Sequence, residues 1–368
     1  MKPQTTFILL LFILVNTIYS FGQDINIKTL DSIIGNAVSK IKPVSYSVAI
    51  LKDDKIVFKK GYGLKDVTNK NEPVTEETVY CIGSCSKAFT SACIAKLVSD
   101  GKIKWEDKVI KYLPNFKLSD DYITKELTIT DILCHRSGLR EFDGDLEWFC
   151  SNYTPEELVY KLRYYPIKNG FRNEFGYSNA MYIVAGEIIK SVTGLSWENY
   201  IAKEIFTPLE MNNSYLQLSD LSKVKNIALP HVNSTKPDTF ITTSHPAGSI
   251  FSNTTDLSNW LIMLMNYGKF KNQQIMKEWD TKNLFHQHFP LRVWDSYKDF
   301  DTKFRSYGLG WYIMDYHSKK LVFHEGGYPG YVAKILMIPE DKLGIIILSQ
   351  IFTVNNQAYF KNRLLPQR

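Results

Sequence analysis

The chain contains no internal repeat, no low-complexity stretch and no basic run long enough to follow a phosphate backbone. The first two absences exclude solenoids, propellers and extended polar tracts. The third, with a net charge of only +6 spread over 368 residues in which Lys alternates with Asp and Glu, excludes nucleic acid as the expected partner. Cysteine is scarce: Cys81, Cys85, Cys93, Cys134 and Cys150. Five is an odd number, so at least one thiol has no partner within the chain. Cys85 and Cys93 fall in an apolar helical pattern, and buried free thiols are the favoured reading over a disulfide or a cysteine nucleophile. No cysteine follows the N-terminal apolar run, which argues against a lipid-anchored lipoprotein. No later segment has the length of a membrane-spanning helix.

What is present fits a globular protein: 44% hydrophobic and 22% charged residues, enough to bury a sizeable core without staples. Tyr (22) and Phe (21) are abundant, which suits either a packed interior or an aromatic-lined cleft. The N-terminus reads as a secretory leader. Lys2 precedes the unbroken nine-residue apolar run Phe7 to Val15, and Ser20 and Gly22 place small residues before a cut ahead of Gln23. Residues 1–22 are therefore expected to be removed, with the mature protein periplasmic or secreted and without a stable membrane span.

Strand patterns occur at both ends of the chain. VSYSVAIL (44–51) and KIVFK (55–59) flank Asp53 and Asp54 as a hairpin. Near the C-terminus, strands are expected at Gly308–Met314, Lys320–Glu325, Tyr331–Ile338 and Leu343–Ser349, with Pro339, Glu340 and Asp341 turning the last pair. Helical periodicity fills the middle: Ser84–Ser99 with Gly101 at its end, Pro155–Tyr164, Ala180–Val192 before Gly194, Trp197–Phe206 before Pro208, and Thr255–Tyr267. A closing helix is expected over 354–365. This pattern predicts an α+β fold with one antiparallel sheet assembled from the two ends of the chain, flanked by helices. The sheet domain would take residues 23–80 and 241–368, and an inserted, mostly helical region 81–240.

Three local patterns carry chemistry. Ser-x-x-Lys occurs at Ser39, Ser84, Ser99 and Ser222, and only the Ser84 copy follows a glycine and opens an apolar helix. Three residues apart, Ser84 and Lys87 share a helical face, and a helix start offers free N–H groups for an oxyanion. An N-cap serine with an exposed lysine is the structural alternative. Tyr177-Ser178-Asn179 lies in a loop before a helix. Tyr177 suits proton transfer if a lysine lowers its pKa, and Asn179 suits either lysine orientation or an N-cap. His324-Glu325-Gly326-Gly327 ends a strand, where glycines admit a substrate backbone and the edge can pair with a peptide.

In this order the three patterns form a signature of serine β-lactamases and penicillin-binding proteins. The chain resembles the class C β-lactamase, DD-peptidase and related esterase group. CIGSCSKAFTSA (81–92), LTITDILCHRSGL (127–139), FGYSNAMYIVAGEII (175–189), PAGSIFSNTTDLSNW (246–260), YGLGW (307–311) and HEGGYPGY (324–331) follow that group's order. The resemblance implies a β-lactamase/transpeptidase-like fold with Ser84 as nucleophile and Lys87 and Tyr177 sharing the base work. Asn179 would contact Lys87 and a substrate amide, with His324, Gly326 and Gly327 on the substrate side. The N–H groups of Ser84 and Gly327 would form the oxyanion hole. It implies no cofactor and no metal. His324 stands where many relatives in that group have lysine. Its partial charge near neutral pH points to a peptide, amide or ester substrate, small or peptidoglycan-derived, with weak β-lactam turnover. A non-hydrolytic penicillin- or peptidoglycan-binding protein and a class C β-lactamase proper are the alternatives.

His286-Gln287-His288 lacks the acidic partner of a zinc hydrolase and reads as two surface histidines. His135 reads as a brace of the helical region. Glu106-Asp107 and Asp299–Asp301 read as solvated carboxylates.

Overall fold

A computed structural model describes residues 27–41, 44–69, 71–148, 151–216, 218–230, 245–293 and 302–350. The leader at 1–22, the closing helix at 354–365, Cys150 and Asp299–Asp301 lie outside these residues.

The fold is α+β. Helix α1 (Ile27–Ile41) precedes the hairpin of β1 (Ser45–Lys52) and β2 (Lys55–Gly63). Asp53 and Asp54 both take positive φ, 50° and 63°, the left-handed pair whose twist matches a two-residue hairpin turn. The long helices that follow are α2 (Ser86–Ser99), α3 (Asn179–Thr193) and α4 (Thr254–Met265). The remaining strands of the main sheet are β3 (Phe289–Leu291), β4 (Arg305–Tyr307), β5 (Tyr312–Tyr316), β6 (Lys319–Tyr328), β7 (Tyr331–Ile338) and β8 (Leu343–Gln350). The eight strands lie in the order β2-β1-β8-β7-β6-β5-β4-β3, every neighbouring pair antiparallel. Among the described residues the last strand thus pairs with the first, which joins the early and late strands in one sheet.

Both faces of the sheet are covered, so its central strands are apolar throughout. On one face α1 packs Leu30 and Ile34 against Tyr46, Val48, Ile50, Ile345 and Ile347. On the other, Ala49, Leu51, Ile346 and Leu348 join a much larger core made with the helices. Within that core α2 is buried all round from Ser86 to Ala95, which makes it a central helix rather than an amphipathic surface one.

One expected strand differs. Gly308–Met314 does not form a single strand. Gly308 N–H donates to Trp311 O at 2.7 Å, closing a turn between β4 and β5, and regular pairing resumes at Tyr312. The expected Trp197–Phe206 helix is α-helical to Ile201 and widens to a π-helix over Ala202–Phe206 before Pro208.

Candidate active site

Ser84 sits in a short 3-10 turn, Gly83–Cys85, and not inside the helix that the sequence pattern begins with it. Helix α2 starts two residues later, with Cys85 at its N-cap and no capping side chain, so Ser84 is not the capping residue. Ser86 tightens this turn: its Oγ donates to Gly83 O (2.7 Å) and accepts from Ile250 N–H (3.1 Å). Gly83 adopts φ +51°, and a Cβ there would lie 2.8 Å from Gly327 N. On the facing strand, a Cβ on Gly326 would lie 1.8 Å from Ile82 O and 3.1 Å from Ser84 N. The two glycines let the Ser84 turn and the end of β6 touch backbone to backbone. The amides of Ser84 and Gly327 consequently lie across one crease. Among residues 78–95, Ser84 alone is not buried.

Lys87, one helical turn along, is fully buried. Its Nζ lies 2.6 Å from Asn179 Oδ1, 2.8 Å from Ala247 O and 3.2 Å from Ser84 Oγ. These three acceptors match the three hydrogens of an ammonium group. Burial pulls the lysine down to about 7, against the opposing pull of the Asp145 charge. The amine also stands 4.7 Å from the ring centre of Tyr177.

Tyr177 reaches the site through a clamped loop. Gly176 N–H donates to His135 O and Phe142 N–H to Tyr177 O, both at 2.8 Å. His135 Nδ1 accepts from Ser178 N–H at 3.0 Å, and its ring lies 4.4 Å from that of Tyr177. His135 is itself held by the neighbouring turn, where buried Asp131 pairs with Arg136 and Arg172 at 2.5 and 2.8 Å. Burial pushes the Tyr177 phenol well above the usual tyrosine value, so the nearby lysine does not lower it as the sequence pattern suggested. Ser84 acts on the phenol in the lowering direction, but weakly.

Asn179 is the first residue of α3, and Ser178 takes the N-cap by accepting from Met181 N–H. The Asn179 side chain is therefore free of capping and bridges two charged groups. Its Oδ1 accepts from Lys87, and its Nδ2 donates to Asp145 Oδ2 at 2.8 Å. Asp145 is buried at the start of a short helix and also accepts from Trp148 Nε1 at 3.0 Å. Burial pushes its carboxyl up to about 6, although both hydrogen bonds and Lys87 work in the other direction. Nothing in the sequence spacing marks this aspartate, which lies 34 residues before Asn179.

His324 lies in β6 beside the site and is only 1% exposed. Its Nδ1 stands 2.7 Å from the Glu325 carbonyl, which fixes the hydrogen on that nitrogen, and its Nε2 accepts from the Tyr307 hydroxyl at 3.0 Å. Burial, aided by Lys87, pulls the imidazole down to about 3. The expected partial positive charge is therefore absent, because burial and the neighbouring Lys87 outweigh the Glu325 carbonyl, which favours it. Tyr307 belongs to the YGLGW segment, which carried no role in the sequence reading. The Cys81, Cys85, Cys93 and Cys134 thiols are free and buried. Burial raises Cys81 and Cys134 to about 12 and the other two further, so none supplies a thiolate near neutrality. His286 and His288 lie elsewhere, and the ring of His288 meets Asn283 O at 3.1 Å.

The chain is similar to several known proteins. The family model described as beta-lactamase matches residues 30–366. The unguisins hydrolase UngD' of Aspergillus campestris is 30% identical over 85% of this chain and 59% of its own length. Protein Flp of Staphylococcus aureus is 28% identical over 88% of this chain and 62% of its own. The chain thus spans about three fifths of the length of the curated relatives it matches. Among solved structures, the octameric penicillin-binding protein homologue from Pyrococcus abyssi superposes with a TM-score of 0.75 at 27% identity, covering 89% of this chain and 74% of that one.

Proposed function

We propose that this chain, which belongs to the beta-lactamase family, is an exported serine hydrolase that cleaves peptide, amide or ester substrates through an acyl-enzyme on Ser84. The observation that carries the reading is the position of Lys87 Nζ, 3.2 Å from the single solvent-reached hydroxyl of the turn and depressed to about 7. A serine is a weak nucleophile at its own pKa and needs a base of this kind beside it. Tyr177 holds its proton firmly, so Lys87 is the group suited to take the first proton.

In this scheme Ser84 Oγ bonds to the substrate carbonyl carbon as its proton passes to Lys87. The carbonyl electron pair moves onto oxygen, facing the amides of Ser84 and Gly327. Collapse of this intermediate breaks the bond to the leaving alcohol or amine. The leaving group is protonated from Lys87 through the Tyr177 hydroxyl. Water then repeats the sequence, adding to the acyl carbon, returning a proton to Ser84 and releasing the acid. Asn179 holds Lys87 and is placed to meet a substrate amide. Gly326 keeps the β6 edge close, where an extended substrate can pair.

The neutral, internally bonded His324 gives no permanent cation to a substrate carboxylate. That favours esters and uncharged amides over β-lactams, whose carboxylate needs such an anchor. The relative named as a hydrolase supports turnover rather than binding alone. Export rests on the leader-like residues 1–22. Steady turnover of p-nitrophenyl acetate, abolished in Ser84→Ala, is the expected result. A single stoichiometric burst would instead identify a binding protein, and cephalosporin hydrolysis faster than ester hydrolysis would refute the substrate assignment.

A further inference from the structure

The amide of Asn179 has a carbonyl end and an amino end of similar shape, and only one orientation suits Lys87. With Oδ1 toward Lys87 it accepts at 2.6 Å; reversed, its NH2 group would face an ammonium. Asp145 is the group that sets the orientation. Its carboxylate is acceptor-only, lies 2.8 Å from Asn179 Nδ2, and is buried where water cannot substitute. Its other oxygen is fixed by Trp148 Nε1. The result is a linear relay, Trp148–Asp145–Asn179–Lys87–Ser84, in which every donor faces an acceptor.

We propose that Asp145 is a positioning residue for the Ser84 site, locking the Asn179 amide so that its oxygen faces Lys87 and holding a negative charge one side chain behind that amine. The proposal rests on the reading of Ser84 and Lys87 as nucleophile and base. Among the described residues, other charges near the relay are paired or absent. Asp143, close to Asp145, is paired with Arg140 at 3.1 Å, and Glu147 with Lys161 at 3.2 Å. Around Lys87, burial keeps His135 and His324 neutral, and Cys85, Tyr177 and Tyr182 protonated, across the neutral range. Asp145 is thus the one neighbouring carboxylate of the relay whose loss changes the field at Lys87.

Two isosteric variants test this by the acidic limb of kcat/KM for p-nitrophenyl acetate. In Asp145→Asn the charge is lost. The new amide, with one acceptor oxygen, can serve Trp148 only by turning its NH2 toward Asn179, which reverses the Asn179 amide against Lys87. Both changes disfavour the ammonium, so the limb moves to lower pH by about one unit, and kcat falls because Lys87 is no longer held. The double variant Asp145→Asn/Asn179→Asp restores every donor–acceptor match, since the residue-145 NH2 then donates to the new carboxylate that accepts from Lys87. With the charge now in direct contact, the limb moves to higher pH than in the unaltered protein. Opposite displacements support the proposal, and the double variant still reads the limb if the single one fails to fold. A limb unmoved, or moved in the same direction in both, overturns it while leaving the Ser84–Lys87 reading intact. Turnover that survives Ser84→Ala removes both.

Discussion

Lys87 Nζ lies closer to Asn179 Oδ1, at 2.6 Å, than to the Ser84 hydroxyl, at 3.2 Å. The amine is held by the amide and presented to the serine, instead of being paired with it. Burial favours the neutral form of the amine and the Asp145 charge favours the ammonium, and the balance leaves it titrating at about 7.

That balance predicts the pH dependence of activity. The base works only without its extra proton, so kcat/KM rises with pH through about 7 as Lys87 deprotonates. Lys87→Arg keeps the charge but cannot deprotonate, and should lower kcat by about 10²–10⁴. A limb centred below pH 5 in the unaltered protein would assign the base to a carboxylate.

Tyr177 should act as a proton carrier that stays protonated. Tyr177→Phe is expected to lower kcat by about 10²–10⁴ while leaving the acidic limb in place. No alkaline inflection from the phenol should appear below about pH 10, because burial raises it above its ordinary value. An inflection between pH 7 and 9 that Tyr177→Phe abolishes would show that a phenolate is the base.

The two glycines after Glu325 should respond differently to a methyl group. A Cβ at Gly326 meets Ile82 O at 1.8 Å, a backbone atom of the turn that carries the serine, whereas a Cβ at Gly327 has no neighbour within 4 Å. Gly326→Ala should therefore lose about 1–3 kcal/mol of stability and most activity, and Gly327→Ala should keep its Tm. Equal melting temperatures for the two variants would mean that β6 does not press on the Ser84 turn.

The strands Tyr331–Ile338 and Leu343–Gln350 and the hairpin at Asp53-Asp54 were legible because apolar runs and turn residues are local signals. The Gly308–Met314 run misled: its apolar residues are buried, but through a turn in which Gly310 approaches α2, and strand periodicity does not separate those cases. At the site, Ser84, Lys87, Tyr177 and Asn179 stood out as short patterns, and their order along the chain tied them together. Asp145 and the Ala247 carbonyl were invisible. One has no characteristic spacing, the other is a backbone atom, and both act only because folding stacks distant segments around one amine. His324 was legible as a residue but not as a state, since its neutrality comes from burial beside the Lys87 amine, which only the fold brings about.

The most direct test is mass spectrometry of the protein quenched in acid during turnover of p-nitrophenyl acetate, followed by peptide mapping. The account predicts an acetyl group on the peptide containing Ser84, localised to that hydroxyl and missing in Ser84→Ala. Continued turnover with no acyl group on that peptide, or with the acyl group on another residue whose replacement stops the reaction, would contradict it.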